Sequence, residues 1–183
     1  MGPPIIINQT ISKISQYLSI SEKQVQFDVN KKAELYHSIV QSDYVGILAI
    51  TNNGKIPIIR QYRPAVESFT WEFPAGTIDE DDNPLNAASR ELQEETGLTI
   101  KSLHPIGTYF PDTGRLSFRS FGFFAVCHSE LVNLPEDGIE VRYVTLNELL
   151  FMIKTGEFNH QLHIALLTSA IVHKHLDSKL FSL

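Results

Sequence analysis

The chain reads as a mixed α/β (α+β) fold with a β-rich extension at its N-terminus, and three observations predict this. Short β-branched and apolar runs recur from about residue 24 to residue 145. Three segments with helix signals interrupt or follow them. The 183 residues, 43% hydrophobic and 10% aromatic, are enough for one packed core.

Taken in order, Val25, Phe27 and Val29 alternate with Gln24, Gln26 and Asp28, and Asn30-Lys31-Lys32 is a turn from which Glu34–Val40 can return. The first 43 residues are therefore expected to form the extension, and 44–183 the main domain. Tyr44–Ile50 and Ile56–Tyr62 are apolar runs joined by Thr51-Asn52-Asn53-Gly54-Lys55, and Asn-Gly tolerates the positive φ that a hairpin turn needs. A hairpin is expected there. Further strands are expected at Trp71–Phe73, Leu103–Tyr109, Ser117–Cys127 and Glu140–Thr145.

The first helix should run from Pro84 to Thr96, with Asn83 as its cap, proline at its first position and Gly97 as a left-handed stop. Thr145-Leu146-Asn147-Glu148 has capping-box spacing and should open a second helix to about Lys154. A third is expected from Asn159 to Leu176, turning positions 162, 165, 166, 169 and 172 to the core.

Composition excludes some functions. Fifteen Lys+Arg against 21 Asp+Glu leave a net charge of −6, the wrong sign for holding nucleic acid by general phosphate neutralisation. A polyanionic substrate must meet local arginines or a bound metal. The single cysteine, Cys127, lies in the apolar run Phe121–Cys127, which precludes an intrachain disulfide, suits a reducing compartment and makes a poor catalytic thiol. No apolar run approaches the roughly 20 residues that span a bilayer, and the first residues lack the pattern of a secretory signal. The expectation is a cytoplasmic protein with no membrane or nucleic-acid partner.

The first helix carries the chemistry. On a helical wheel Leu85, Ala88 and Leu92 share one side, while Glu91, Glu94 and Glu95 fall within an arc of about 100° on another, beside Ala87. Like charges at i,i+3 and i,i+4 cost roughly 0.2–0.5 kcal/mol per pair, and these carboxylates stand toward the helix C-terminus, where the macrodipole disfavours anions. Arg90 can offset part of this by pairing with Glu94. Hard Mg²⁺ or Mn²⁺, which prefers carboxylate and carbonyl oxygen and completes its shell with water and phosphate, would offset more.

Gly76, Arg90-Glu91-Leu92, Glu94-Glu95 and Gly97-Leu98 resemble the Nudix box, Gly-x5-Glu-x7-Arg-Glu-aliphatic-x-Glu-Glu-x-Gly-aliphatic. Eight of the nine defined positions agree with every spacing kept, and Asp82 replaces a glutamate. Gln61-Tyr62-Arg63-Pro64, Trp71-Glu72-Phe73-Pro74-Ala75-Gly76 and Tyr109-Phe110-Pro111-Asp112-Thr113-Gly114 are similar to the ADP-ribose pyrophosphatase branch of that family, as is a proline, Pro111, 13 residues past Leu98. The resemblance spans about residues 44 to 175.

It implies a Nudix-type α/β/α sandwich with a mixed sheet, and Mg²⁺-dependent hydrolysis of a nucleoside diphosphate linked to another group, ADP-ribose or a related ADP-sugar in this branch, giving AMP and a sugar phosphate. Mn²⁺ could substitute. By the same resemblance Glu91 and Glu95 are the main metal ligands, Glu94 is a further ligand or orients water, the Ala75 carbonyl adds an oxygen, and Arg90 supports the loop through position 82. The general base is expected in Leu134–Glu140, at Glu136, with Asp137 and Glu140 as rivals. Arg63 is the leading phosphate contact because its guanidinium presents a fork of donors. Glu72 could contact substrate or metal, or be an ordinary polar residue at a strand edge. Arg115 and Arg119 could bind phosphate or sugar, or be solvated. His160 and His163 lack carboxylates at zinc-site spacing and read as helix-surface residues. The resemblance also implies a homodimer. The alternatives are a pyrophosphatase for a UDP- or GDP-sugar, and a non-catalytic nucleotide-sugar sensor, against which the three intact glutamates count.

Overall fold

The computed structural model describes residues 2–131 and 133–176. Contacts divide the chain into two units, one of residues 1–43 with 110–119, the other of 44–109 with 120–183. Sequence reading left 110–119 in the main domain.

The first unit is an antiparallel sheet of β1 (Ile5–Lys13), β2 (Ser19–Gln26) and β3 (Glu34–Val40) in that order. Sequence reading missed β1, whose residues are exposed on both faces and show no burial alternation. Residues 110–119 join this unit through Ile39, whose N–H donates to the Arg115 carbonyl at 2.7 Å and whose carbonyl accepts from Ser117 N–H at 3.0 Å. Arg119 pairs with Asp43 at 2.7 Å.

The second unit has two sheets. One orders β7 (Ala75–Thr77), β4 (Tyr44–Thr51), β9 (Ser120–Leu131) and β8 (Leu98–Tyr109); the other orders β10 (Glu140–Val144), β5 (Ile56–Arg63) and β6 (Ser68–Glu72). The expected hairpin of 44–50 with 56–62 does not form. Its turn does: Gly54 has φ 75°, and Thr51 N–H donates to the Lys55 carbonyl at 2.8 Å. Beyond the turn the strands part, because β4 is already paired along one edge with β9, in parallel, and on the other with Ala75–Thr77. β5 goes to the second sheet, between β6 and β10.

The period of two along β4 and β9 sorts two cores. Val45, Ile47, Ala49, Phe123, Ala125 and Cys127 meet Ala87, Ala88 and Leu92 of α1 (Pro84–Thr96). Leu48 and Phe124 face the opposite way, toward Leu149 and Met152 of α2 (Leu146–Thr155) and Leu166, Leu167 and Ala170 of α3 (Gln161–Val172). Helices thus cover both faces, the mixed α+β architecture expected. Burial pushes the Cys127 thiol up to about 12, which suits a core residue and no nucleophile.

Two helix faces differ from expectation. Ala87 does not share the acidic face; it is fully buried in the core, while Leu85 is half exposed. In α3 the inward residues are His163, Leu166, Leu167 and Ala170, and Val172 is exposed, so the stripe is rotated from the expected one. The expected end at Leu176 falls short because the helix stops at Val172 and Lys174 turns to φ 61°. Among the described residues no helix is long and apolar enough to cross a membrane.

Candidate active site

The site forms where α1 lies over β7. Asn83 caps α1 by accepting from the N–H groups of Leu85 and Asn86, each at 3.0 Å, and Gly97 closes it at φ 70°. With both ends fixed and Leu92 fully buried, Glu91 and Glu95 are carried one turn apart over Ala75 and Gly76. Glu95 is 5% exposed and accepts from the Ala75 N–H at 2.8 Å. A side chain at Gly76 would collide with the Glu91 carboxylate, so glycine is required for that carboxylate to sit against the backbone.

The electrostatics are those of carboxylates withdrawn from water. Burial pushes Glu95 up to about 8, against the pull of the Ala75 N–H and with Glu91 adding to the rise. Burial also raises Glu91; Arg90 opposes this, while Glu94 and Glu136 reinforce it. Arg90 is the one cation ion-paired to these box carboxylates among the described residues, donating to Glu91 at 2.7 Å and Glu94 at 3.3 Å. Its contact with Asp82 is 4.0 Å and with Asp79 3.7 Å. The shorter Asp82 side chain leaves a long ion pair, and Asp82 Oδ1 instead accepts from Asn83 N–H at 2.8 Å.

Among the rivals for general base, Glu136 is tied to the site: its N–H donates to the Glu94 carbonyl at 2.9 Å, and it shares a cavity of about 680 Å³ with Arg90, Gln93, Glu94, Asn133 and Leu134. Gly138, at φ 88°, shapes the turn that follows. Glu140 sits on β10 and pairs with Arg60 at 3.1 Å. Asp137 is exposed.

Glu72 is 1% exposed and gripped by both arms of Arg63, Nε to Oε1 at 2.8 Å and Nη2 to Oε2 at 2.6 Å. Burial works against this carboxylate, but the hydrogen bonds from Arg63 and Thr70 outweigh it and hold Glu72 below its usual range. Arg115 belongs to the first unit, lining a cavity of about 390 Å³ with Tyr36, His37 and Ile39.

His163 is not a surface residue, and His160, at the N-cap of α3, is half-buried. His163 is 1% exposed, and burial, with His160 and Arg63 adding, holds it well below the usual histidine range. One ligand atom each from Glu72, His160 and His163 lie within 4.8 Å of one another. Their chemistry argues against a metal there. His163 Nδ1 accepts from Phe73 N–H at 3.0 Å, so the neutral ring carries its proton on Nε2 and offers no second lone pair. Glu72 is already engaged by Arg63. The signal that sequence reading passed over is that α3 is apolar almost all round, as helices buried on more than one side are.

Residues 41–167 match the NUDIX domain. The ADP-ribose pyrophosphatase of Bacillus subtilis (strain 168) is 34% identical over 132 residues, 70% of this chain and 71% of that protein. The ADP-ribose pyrophosphatase of Saccharomyces cerevisiae is 32% identical over 151 residues, 75% of this chain and 64% of that protein. The fold is that of a crystal structure described as an ADP compounds hydrolase, with a TM-score of 0.79 at 19% identity over 98% of this chain and 97% of that one. With the box, the fold and the relatives in agreement, the chain belongs to the Nudix family.

Proposed function

We propose that the protein hydrolyses the diphosphate of ADP-ribose or a related ADP-sugar to AMP and a sugar phosphate, with Mg²⁺ as its metal and Mn²⁺ as a substitute. The observation that carries this reading is the packing of Glu91 and Glu95, both raised by burial, against Ala75 and Gly76. The branch is supported by the likeness to the two ADP-ribose pyrophosphatases.

The residues fit a hard divalent cation. Their donors are all oxygen, and Glu91 and Glu95 lie where burial makes carboxylates resist ionisation, an environment that a cation relieves. Glu91, Glu95 and the Ala75 carbonyl would hold it, with Glu94 as a further ligand. When bound, it screens the diphosphate's negative charge and makes water a better nucleophile. Glu136 takes the proton of the attacking water. The water oxygen bonds to phosphorus as the bridging P–O bond breaks, and the second phosphate leaves as a monoester. Arg90 restrains Glu91 and Glu94. Arg63 has Nε and Nη2 committed to Glu72, which leaves Nη1 as its edge for a substrate phosphate, and Glu72 fixes that guanidinium in place. Arg115 remains a proposed substrate contact.

We also place the protein in the cytoplasm, which suits the lone Cys127, and assign it a homodimer. Ile5, Ile6, Ile7 and Ile11 of β1 are each more than half exposed, apolar surface of the kind that a second copy covers. The test of function is kcat/KM over ADP-ribose, UDP-glucose, GDP-mannose and ATP. ADP-ribose is expected to lead. Preference for a UDP- or GDP-sugar would move the protein to another branch, and binding without turnover of any would make it a sensor.

A further inference from the structure

We infer that His163 is a positioning residue for the metal site, acting through the Phe73–Gly76 segment. The inference rests on the reading of Ala75 and Glu95 given above. The chain leaves one sheet at Glu72, the end of β6, and enters the other at Ala75, the start of β7. Phe73 and Pro74 are the crossing. A backbone leaving a ladder inside the core strands its N–H, and an unmet buried donor costs about 1–3 kcal/mol. Phe73 is fully buried, and the acceptor it finds is a side chain 90 positions away, His163 Nδ1 at 3.0 Å.

The ring cannot readily turn aside. It stacks on His160 with centroids 3.9 Å apart and on Phe73 at 5.7 Å, with Phe158 at 6.5 Å. Gly46 on β4 lies beneath the ring: a Cβ there would be in ordinary contact with it at 3.9 Å and with Leu166 at 3.4 Å. Gly46 is also the register partner of Ala75. Four successive residues are thus fixed from three elements, α3, β4 and α1. Phe73 is held by His163 on α3, the Pro74 carbonyl by Ile47 N–H at 2.8 Å, Ala75 N–H by Glu95 on α1 at 2.8 Å, and Gly76 by its pairing with Val45. Of these anchors His163 is the one supplied from the far layer, so it sets where Ala75 meets Glu95 without touching the metal, the diphosphate or the water.

A core histidine of purely structural value would lower stability and leave the folded protein's metal affinity alone. The positioning role predicts more. His163→Asn puts a carbonyl oxygen near the place of Nδ1 and keeps an acceptor; His163→Leu removes it; His163→Gln keeps polarity but puts the oxygen one methylene too far out. Calorimetric titration of the folded proteins with Mn²⁺, without substrate, should show about tenfold weaker binding in His163→Leu and His163→Gln, the scale of an outer-shell loss, with most of the affinity kept in His163→Asn. Amide exchange at Phe73 and Ala75 should quicken in the same two variants.

Affinity equal to wild type in folded His163→Leu or His163→Gln would overturn the inference, and so would His163→Asn falling as far as His163→Gln. Should the variants not fold, nitrogen NMR of the wild-type ring decides: Nδ1 unprotonated and Nε2 protonated is expected, and the opposite tautomer overturns the inference. Wild-type protein that binds no Mn²⁺ would instead overturn the metal reading beneath it.

Discussion

Glu95 carries the sharpest consequence of burial at the level of single residues. Its carboxyl is raised from an ordinary value of 4.5 to about 8 by burial, opposed by the Ala75 N–H and aided by Glu91. A raised folded value means that the folded state holds the proton more tightly than the unfolded chain. That contribution to stability is complete below about pH 4.5 and is lost as pH rises through about 8. The metal-free protein should therefore lose thermal stability across that window, and Glu95→Gln, whose amide oxygen can still accept from Ala75, should flatten the loss. Melting curves in chelator at pH 5 and pH 8 check this; parallel curves for the two proteins would contradict it. In the presence of Mg²⁺ the same variant, and Glu91→Gln, should lower kcat by about 10²-fold or more, because charge stabilisation by metal is worth several kcal/mol in the transition state. Near-normal turnover in folded protein would remove both residues from the metal site.

Among the elements, α1 was the most legible in sequence, since every signal that defines it is local: the Asn83 cap, Pro84, and Gly97 at positive φ. Its box spacing also brought Glu91 and Glu95 together as expected, because side chains four apart on a helix share a face. The paired runs 44–50 and 56–62 were misread for the opposite reason. Their turn is local, but whether two strands pair depends on what else claims their edges, and β9 and β7 arrive from residues 120–131 and 75–77. The facing of α3 was hidden likewise, because a helix apolar almost all round has no single stripe to read. Gly76 belongs to this scale, since it lets α1 approach β7. Gly76→Ala should displace the Glu91 carboxylate and cost Mn²⁺ affinity more than fold stability, measured by titration beside thermal melting. Unchanged affinity would mean that the Glu91 carboxylate is not seated there when metal binds.

At the scale of the whole molecule, the family was readable because the box is long and its residues are chemically constrained, whereas the homodimer was implied by resemblance alone. Strand β1 was missed because its apolar residues show no alternation against a core, which is what a strand completed by another copy would look like. Light scattering at micromolar concentration should give twice the 20.7 kDa chain mass, and a stable, fully active monomer would refute the dimer. Neither result bears on the chemistry, for which phosphorus NMR of ADP-ribose with the wild-type protein is the most direct test. With Mg²⁺ present, the diphosphate signals should give way to AMP and ribose 5-phosphate in equal amounts, and chelator should stop both together. ADP-ribose left intact under those conditions, while another nucleoside diphosphate or a triphosphate is consumed, would contradict the proposed substrate.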